Sequence, residues 1–403
     1  MSAEFFSSAS IRAQDRISAT RIIVLLLRVL DLWQFPDYNS KRPHFVQNLW
    51  RLYGLLLHLT ITVPFMMAQT IAALLSHDLD EFGNILYLLL AELTMMAKIL
   101  HIWRHSNLAC RYLDEAAHEP KYALYHGNEW MQWKRQQSSF ALIAYSYILG
   151  CVFIVLIVNL GILLTPPDIY VLPCDLYVPF EWQNRRYYWY AYGFANLGLV
   201  MVCIANSTLD MLFCYFMLHL ALLYELIGKR LMALRRQRQR VVGGGSEVLD
   251  ELREIFQMHV SVKRFTVQCE TLVSVPVLSQ IILSAFILCF GGYRIRSMHI
   301  MEEFATFFPA IQYISAMVLE IYLLCYYGNA VTVNSDALTN AIFNSDWTEF
   351  DVPTRKFMIL YMELLKKPTT LKAGNFFQVG LPIFTKTLNN AYAFFALLLN
   401  TNK

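Results

Sequence analysis

The chain has 403 residues, 57% hydrophobic, 14% aromatic and 16% charged, with mean hydropathy +0.40 and formal net charge +3. A soluble domain carries about a quarter charged residues, so this composition excludes an ordinary soluble enzyme and describes a polytopic membrane protein. So small a net charge also argues against a nucleic-acid partner.

Residues 1–49 read as a cytoplasmic N-terminal segment. The apolar run at 22–30 is short, contains Arg28 and is followed at once by Asp31. It predicts a membrane-surface or re-entrant helix rather than a crossing. No cleavable signal peptide is expected. Seven spans of about 20 residues or more follow, at 50–75, 82–103, 139–164, 188–227, 267–292, 304–327 and 378–400. The fourth is too long for one crossing, and its end from His219 onward is expected to continue into the cytoplasm. The expected fold class is an all-α membrane protein with seven transmembrane helices, in which cytoplasmic helical extensions form an anchor domain.

Orientation follows from Lys and Arg, which concentrate on the cytoplasmic side. With the N-terminus inside, 25 of the 33 fall in segments 1–49, 104–138, 228–265 and 328–377, against five outside. The N-terminus is thus expected in the cytoplasm and the C-terminus outside. A G-protein-coupled receptor also has seven spans but the opposite orientation. This chain further lacks a DRY-like tripeptide after its third span and an NPxxY-like motif in its seventh, so no G protein is required.

The organisation read from this is 1–49, spans one to four at 50–227, a cytoplasmic loop and helix at 228–265, spans five and six at 266–327, an anchor segment at 328–377 and a last helix at 378–403. The basic run 229–240 is an inside-loop cluster near anionic lipid. The glycine run 243–246 is a flexible break, not a phosphate loop, because no GK[ST] follows. Residues 247–265 and 352–365 pattern as amphipathic helices.

No nucleophile–base motif or phosphate loop appears, so the chain is not read as an enzyme and no cofactor is expected. A transporter should show inverted repeats, which these spans fit poorly. None of the eight cysteines lies in a CxxC or a Cys/His cluster, so no metal site is suggested. Cys174 sits in a polar loop, where a bridge to Cys289 and a free thiol are both open. Glu92, Lys98, Asp210, Glu270 and Glu320 lie within spans, where charge is costly and defaults to pairing or function. For Glu92 a pairing with a neighbouring helix is favoured over a contact to ligand. Asn206-Ser-Thr208 matches a glycosylation sequon but lies within a span and should be unmodified.

The last third is recognisable. Cys325-Tyr-Tyr-Gly-Asn329, Ser335, Leu338 and Ala341-Ile-Phe-Asn-Ser-Asp-Trp347 resemble the signature of insect odorant receptors. So do Lys367-Pro-Thr-Thr-Leu-Lys-Ala-Gly374, Phe377, Phe384-Thr385, Leu388-Asn389, Tyr392 and Phe395. The resemblance implies a ligand-gated, non-selective cation channel. It further implies a hetero-tetramer with a shared odorant co-receptor, in the dendritic plasma membrane of olfactory sensory neurons. The loop between spans four and five, about forty residues, is short for the co-receptor, so a tuning subunit is implied. A gustatory-type ligand-gated channel is the alternative.

At about 100° per residue, Lys386, Asn390, Ala393, Leu397 and Asn400 form one polar stripe on the seventh span. A Leu ring closes a pore by dewetting, and the resemblance aligns the family's gate with Leu397 and its polar ring with Asn400. Lys386 is awkward for a cation path: the pore is wide there, the lysine pairs with an acid such as Glu320 or Glu270, or it snorkels. Tyr392 and Phe395 lie on the opposite face, expected toward the subunit's own bundle. A volatile odorant needs a mostly apolar, aromatic cavity in the outer half of the bundle. The candidates are Tyr87 and Ala91; Tyr147, Gly150, Cys151 and Ile154; Met201, Val202 and Ile204; Phe308 and Tyr313; and Tyr392 and Phe395. Gly150 either allows close helix packing or leaves room for a ligand.

Overall fold

An apolar run in lipid must satisfy every backbone N–H and C=O within itself, and a helix does so. The computed structural model describes residues 13–33, 44–122, 124, 127–163, 170–238, 245–297 and 304–401 and is built almost wholly of helices. Two short helices open it, α1 (Ala13–Arg16) and α2 (Arg21–Val29). α2 buries Ile23 and Leu27 against the bundle. α3 (His44–Leu57) passes through a π-helical turn at His58–Thr62 into α4 (Val63–Leu75). Pro64 starts the new segment, and the widened turn absorbs the hydrogen bond that proline cannot donate.

The main bundle is α5 (Leu79–Arg104), α7 (Gly127–Leu163), α8 (Arg185–Arg238), α9 (Gly245–Ser297) and α10 (Phe304–Phe343), with α6 (Ser106–His118) between the first two. α9 is unbroken, so the amphipathic stretch at 247–265 and the fifth expected span are one helix. Residues 239–244, which hold the start of the glycine run, lie outside the described residues. Among the described residues six helices are long and apolar enough to cross a membrane, the first formed by α3 and α4 together. The seventh expected span is the 21-residue α12 (Leu381–Thr401). Lys386, Asn389 and Asn390 keep it below the apolarity of the other six.

α8 is the axis. Every residue from Ala205 through Tyr224 is buried, the pattern of a helix enclosed on all sides. α7, α9 and α10 pack around it. Toward its C-terminal end an aromatic cluster fills the bundle, where Tyr112 stacks on Phe265 at 3.9 Å and its hydroxyl donates to the Phe216 carbonyl at 2.8 Å.

The base is closed by α11 (Val352–Leu365) and a hairpin of β1 (Lys372–Ala373) with β2 (Phe377–Gln378). Phe256 meets Phe357 and Tyr361 edge-on at 5.5 and 5.3 Å. The motif residues do structural duty here. The Thr369 N–H donates to the Ser335 hydroxyl at 2.9 Å and the Gly374 N–H to the Ser274 hydroxyl at 2.8 Å. Gly374 has φ +58° in the hairpin turn, a left-handed conformation that suits glycine. α12 then rises against α9 and α10.

At mid-depth the helices share a buried ionic network. Lys98 of α5 lies 2.6 Å from Asp210 of α8 and 3.0 Å from Glu320 of α10, all with fully buried side chains. Lys98 also donates to the Asn206 carbonyl oxygen at 2.8 Å, and the Asn206 amide donates to Glu320 at 3.3 Å. The Tyr147 hydroxyl of α7 donates to the other Glu320 oxygen at 3.4 Å. Glu320 is thus held by Lys98, not by Lys386. The fate of Glu92 differs from expectation: it is buried, yet neither carboxyl oxygen finds a hydrogen-bond partner among the described residues.

Removing one partner from such a network leaves charge buried and uncompensated. Lys98→Leu is expected to destabilise the receptor by about 3–5 kcal/mol, seen as a lost surface-labelled pool and a lower Tm in detergent. The triple variant Lys98→Leu, Asp210→Leu, Glu320→Leu should recover much of that loss. A single variant as stable as the parent would contradict this account.

Candidate functional site

Above the network, at the end of the bundle away from the hairpin, the helices part around a cavity of about 320 Å³. α5 presents Tyr87, Leu88 and Ala91; α7 presents Tyr147, Cys151 and Ile154; α8 presents Val202, Cys203 and Asn206. α10 adds Pro309, Tyr313 and Met317. The wall is chiefly aliphatic and aromatic, as a site for a small apolar molecule requires. A few polar residues interrupt it. Asn206 and Ser207 form the floor, and Asp175 and Arg294 lie near the mouth.

The mouth is organised around Tyr87. The Tyr313 ring meets it edge-on at 5.1 Å. Arg294 of α9 donates to the Tyr87 hydroxyl and lies 5.0 Å from the centre of its ring. The connector between α7 and α8 folds inward as a cover, bringing Val171, Leu172, Pro173 and Cys174 to the wall. The Tyr177 N–H donates to the Ala68 carbonyl at 3.1 Å, and the Tyr188 hydroxyl to the Val171 carbonyl at 2.9 Å. The apolar surroundings of Cys174 push its thiol well above the usual range. Cys174 and Cys289 are both free thiols, not bridged to each other.

Of the residues singled out from sequence, Tyr87, Ala91, Tyr147, Cys151, Ile154, Val202 and Tyr313 line the cavity. Met201 and Ile204 pack beside it in the core. Gly150 faces away, and a side chain there would meet nothing within 4 Å. Phe308 is outside the wall and exposed. Tyr392 and Phe395 do not reach the cavity. α12 buries Ile383, Thr387 and Ala391 against its neighbours, and at about 100° per residue Tyr392 projects off that face. Tyr392 is 72% exposed, while Phe395 packs beside Gly292. On the stripe, Lys386, Asn390, Ala393 and Leu397 are all exposed. The Asn400 side chain lies outside those described. The Lys386 ammonium lies 6.0 Å from the Phe377 ring, back toward the start of its helix.

Sequence reasoning missed Asn206, Arg294 and the connector. Asn206 offered one signal, a polar side chain inside a span. The connector offered none, because an inward-folded loop has no periodicity.

A family profile described as 7tm Odorant receptor matches residues 78–392. The chain is an insect odorant receptor. It is 42% identical to Odorant receptor 94a of Drosophila melanogaster, covering 96% of this chain and 99% of that one. It is 25% identical to Odorant receptor 46a isoform B of the same species, covering 94% and 97%. Among solved structures it resembles the olfactory receptor OR5 of Machilis hrabei in complex with eugenol, with TM-score 0.83, 17% identity, and coverage of 96% and 100%. These receptors are ligand-gated cation channels of the membrane, not enzymes, and the tuning-subunit reading agrees with these relatives.

The cavity geometry has a direct chemical test. Cys151, Cys174 and Cys203 line it, whereas Cys214 and Cys269 are fully buried elsewhere. N-ethylmaleimide applied to the purified receptor should modify Cys203 well before Cys214 and Cys269, as read by peptide mass spectrometry. Equal rates at all three would contradict an accessible cavity.

Proposed function

We propose that this odorant receptor is the ligand-binding subunit of a hetero-tetrameric, non-selective cation channel formed with the shared odorant co-receptor. A small volatile binds the cavity between α5, α7, α8 and α10, in the outer half of the bundle. The N-terminus lies in the cytoplasm, the base at α11 and the hairpin forms the anchor, and the C-terminus lies outside. The working site is the dendritic membrane of olfactory neurons. The observation that carries the reading is the cavity itself, about 320 Å³ of mostly apolar wall with a few polar side chains such as Asn206 and Ser207.

α12 is proposed to line the pore. Support comes from its stripe of Asn390, Ala393 and Leu397, which stays exposed when the chain is alone. Leu397, 62% exposed, is proposed as the gate, and Asn400 as a neighbouring polar ring. Lys386 leans toward Phe377 and so away from the gate. Odorant is expected to evoke cation current only when this chain and the co-receptor are expressed together. Current evoked by tastants from this chain alone would favour the gustatory reading instead.

Ala91→Leu narrows the cavity and is expected to raise the half-maximal concentration about tenfold for long ligands and less for short ones, since overpacking costs about 1–3 kcal/mol. Unchanged responses across all ligand lengths, at normal surface expression, would remove the cavity as the site. Leu397→Ala should raise the resting current without ligand. A resting current equal to that of the parent would argue against the gate.

A further inference from the structure

The cavity floor is the upper edge of the buried ionic network, and one residue belongs to both. Asn206 lines the cavity while bonding Lys98 and Glu320. Its amide orientation is fixed by chemistry. Lys98 can only donate, so the oxygen must face it, and the nitrogen must face the Glu320 carboxylate. The Lys98 ammonium donates to Glu320 and Asn206 at 3.0 and 2.8 Å and is ion-paired with Asp210 at 2.6 Å. Its contacts are thus all within the network, and it does not line the cavity.

The Asn206 nitrogen carries two hydrogens, and one is committed to Glu320 at 3.3 Å. The other has no acceptor among the described residues. Ser207, beside it on the floor, already donates to the Cys203 carbonyl of its own helix at 2.7 Å. Tyr147, also on the wall, donates to Glu320 at 3.4 Å. The two bonds to Glu320 that face the cavity are therefore its long ones, and the Lys98 bond behind them is the short one. The floor offers an incoming molecule a donor, and the groups offering it are those that hold Glu320.

We propose that Asn206 selects odorants bearing one strong hydrogen-bond acceptor, a ketone, aldehyde or ester carbonyl, and that capture of its amide by that carbonyl is the step that converts occupancy into opening. The proposal rests on the cavity being the odorant site. The carbonyl oxygen accepts the spare N–H of Asn206 at the floor, with the alkyl chain along Tyr87, Ala91, Ile154 and Val202. Drawing the amide toward the ligand weakens its bond to Glu320 and loosens α10 from α8. A hydrocarbon of the same length fills the same wall but leaves the amide on Glu320. Asn206 is thus a determinant of both specificity and efficacy.

The test uses cells expressing this chain with the co-receptor and matched series of straight-chain methyl ketones, methyl esters and n-alkanes, from pentyl to nonyl. Carbonyl compounds should evoke current. Matched alkanes should evoke none, yet shift the ketone dose response to higher concentration by competing for the wall. Asn206→Leu should raise the half-maximal ketone concentration about five- to tenfold, the worth of one net hydrogen bond, and lower maximal current. Asn206→Ser, which keeps a donor, should restore part of both. Alkanes that open the channel as well as ketones overturn the proposal. So does a ketone advantage unchanged in Asn206→Leu, or silence to every carbonyl compound while another odorant opens the channel. If Asn206→Leu fails to reach the surface, the wild-type ketone–alkane comparison and the Asn206→Ser variant decide. Loss of the underlying site reading shows separately, as an Ala91→Leu channel indifferent to ligand length.

Discussion

The structure depends on where four buried polar side chains can find partners. Lys98, Asp210, Glu320 and Asn206 come from three helices and sit within hydrogen-bond or ion-pair reach of one another, the three charged side chains fully buried. Within an apolar bundle, helix faces can slide and rotate at small cost, because one aliphatic contact resembles the next. A buried ammonium has no such freedom: it must meet its acceptors or carry a large desolvation penalty. The network therefore sets the rotation and height of α5, α8 and α10 together, and Tyr147 adds α7. The cavity lies directly above because those same four helices diverge from this point.

This constraint explains which parts of the molecule were legible in the sequence. Span positions, the amphipathic stretches at 247–265 and 352–365, and the polar terminal helix follow from local hydropathy, and local hydropathy suffices to form them. Charged residues inside spans announce a cost, so Lys98, Asp210 and Glu320 were visible as residues needing partners. Their pairing was not visible, since residues 98, 210 and 320 meet only after three long helices pack. Glu92 shows the reverse case. Its place inside a span suggested a partner helix, yet its carboxyl finds no hydrogen bond among the described residues.

The site divides in the same way. Helix residues such as Tyr87, Tyr147 and Val202 could be nominated because topology puts those stretches at one end of the bundle. Gly150 and Met201, one position from Cys151 and Val202, could not be separated from them without the rotation of each helix. Tyr392 illustrates the limit. A helical wheel says which residues oppose each other on α12, but not which arc the bundle covers. The arc that α9 and α10 cover runs through Ile383, Thr387 and Ala391. Much of the remaining circumference, aromatic Tyr392 included, is left for other contacts. A helix this polar and this exposed is a poor lipid-facing element, which is a physical reason for the assembled pore proposed here.

The arrangement also limits how far a signal must travel. α12 touches the rest of the chain chiefly through α9 and α10. Two residues on from Glu320, Tyr322 meets Phe384 of α12 edge-on at 5.6 Å. A change in how Glu320 is held is therefore a change in α10, and α10, with α9, supports α12. Under the proposed reading, one helix separates the odorant from the gate-bearing element. Opening then needs no long chain of intermediates, only bistable contacts at two neighbouring points of α10. The long Asn206 and Tyr147 bonds to Glu320 are suited to the first of them. They are long enough to yield when a carbonyl draws the Asn206 amide toward itself, while the shorter Lys98 bond keeps the helices together.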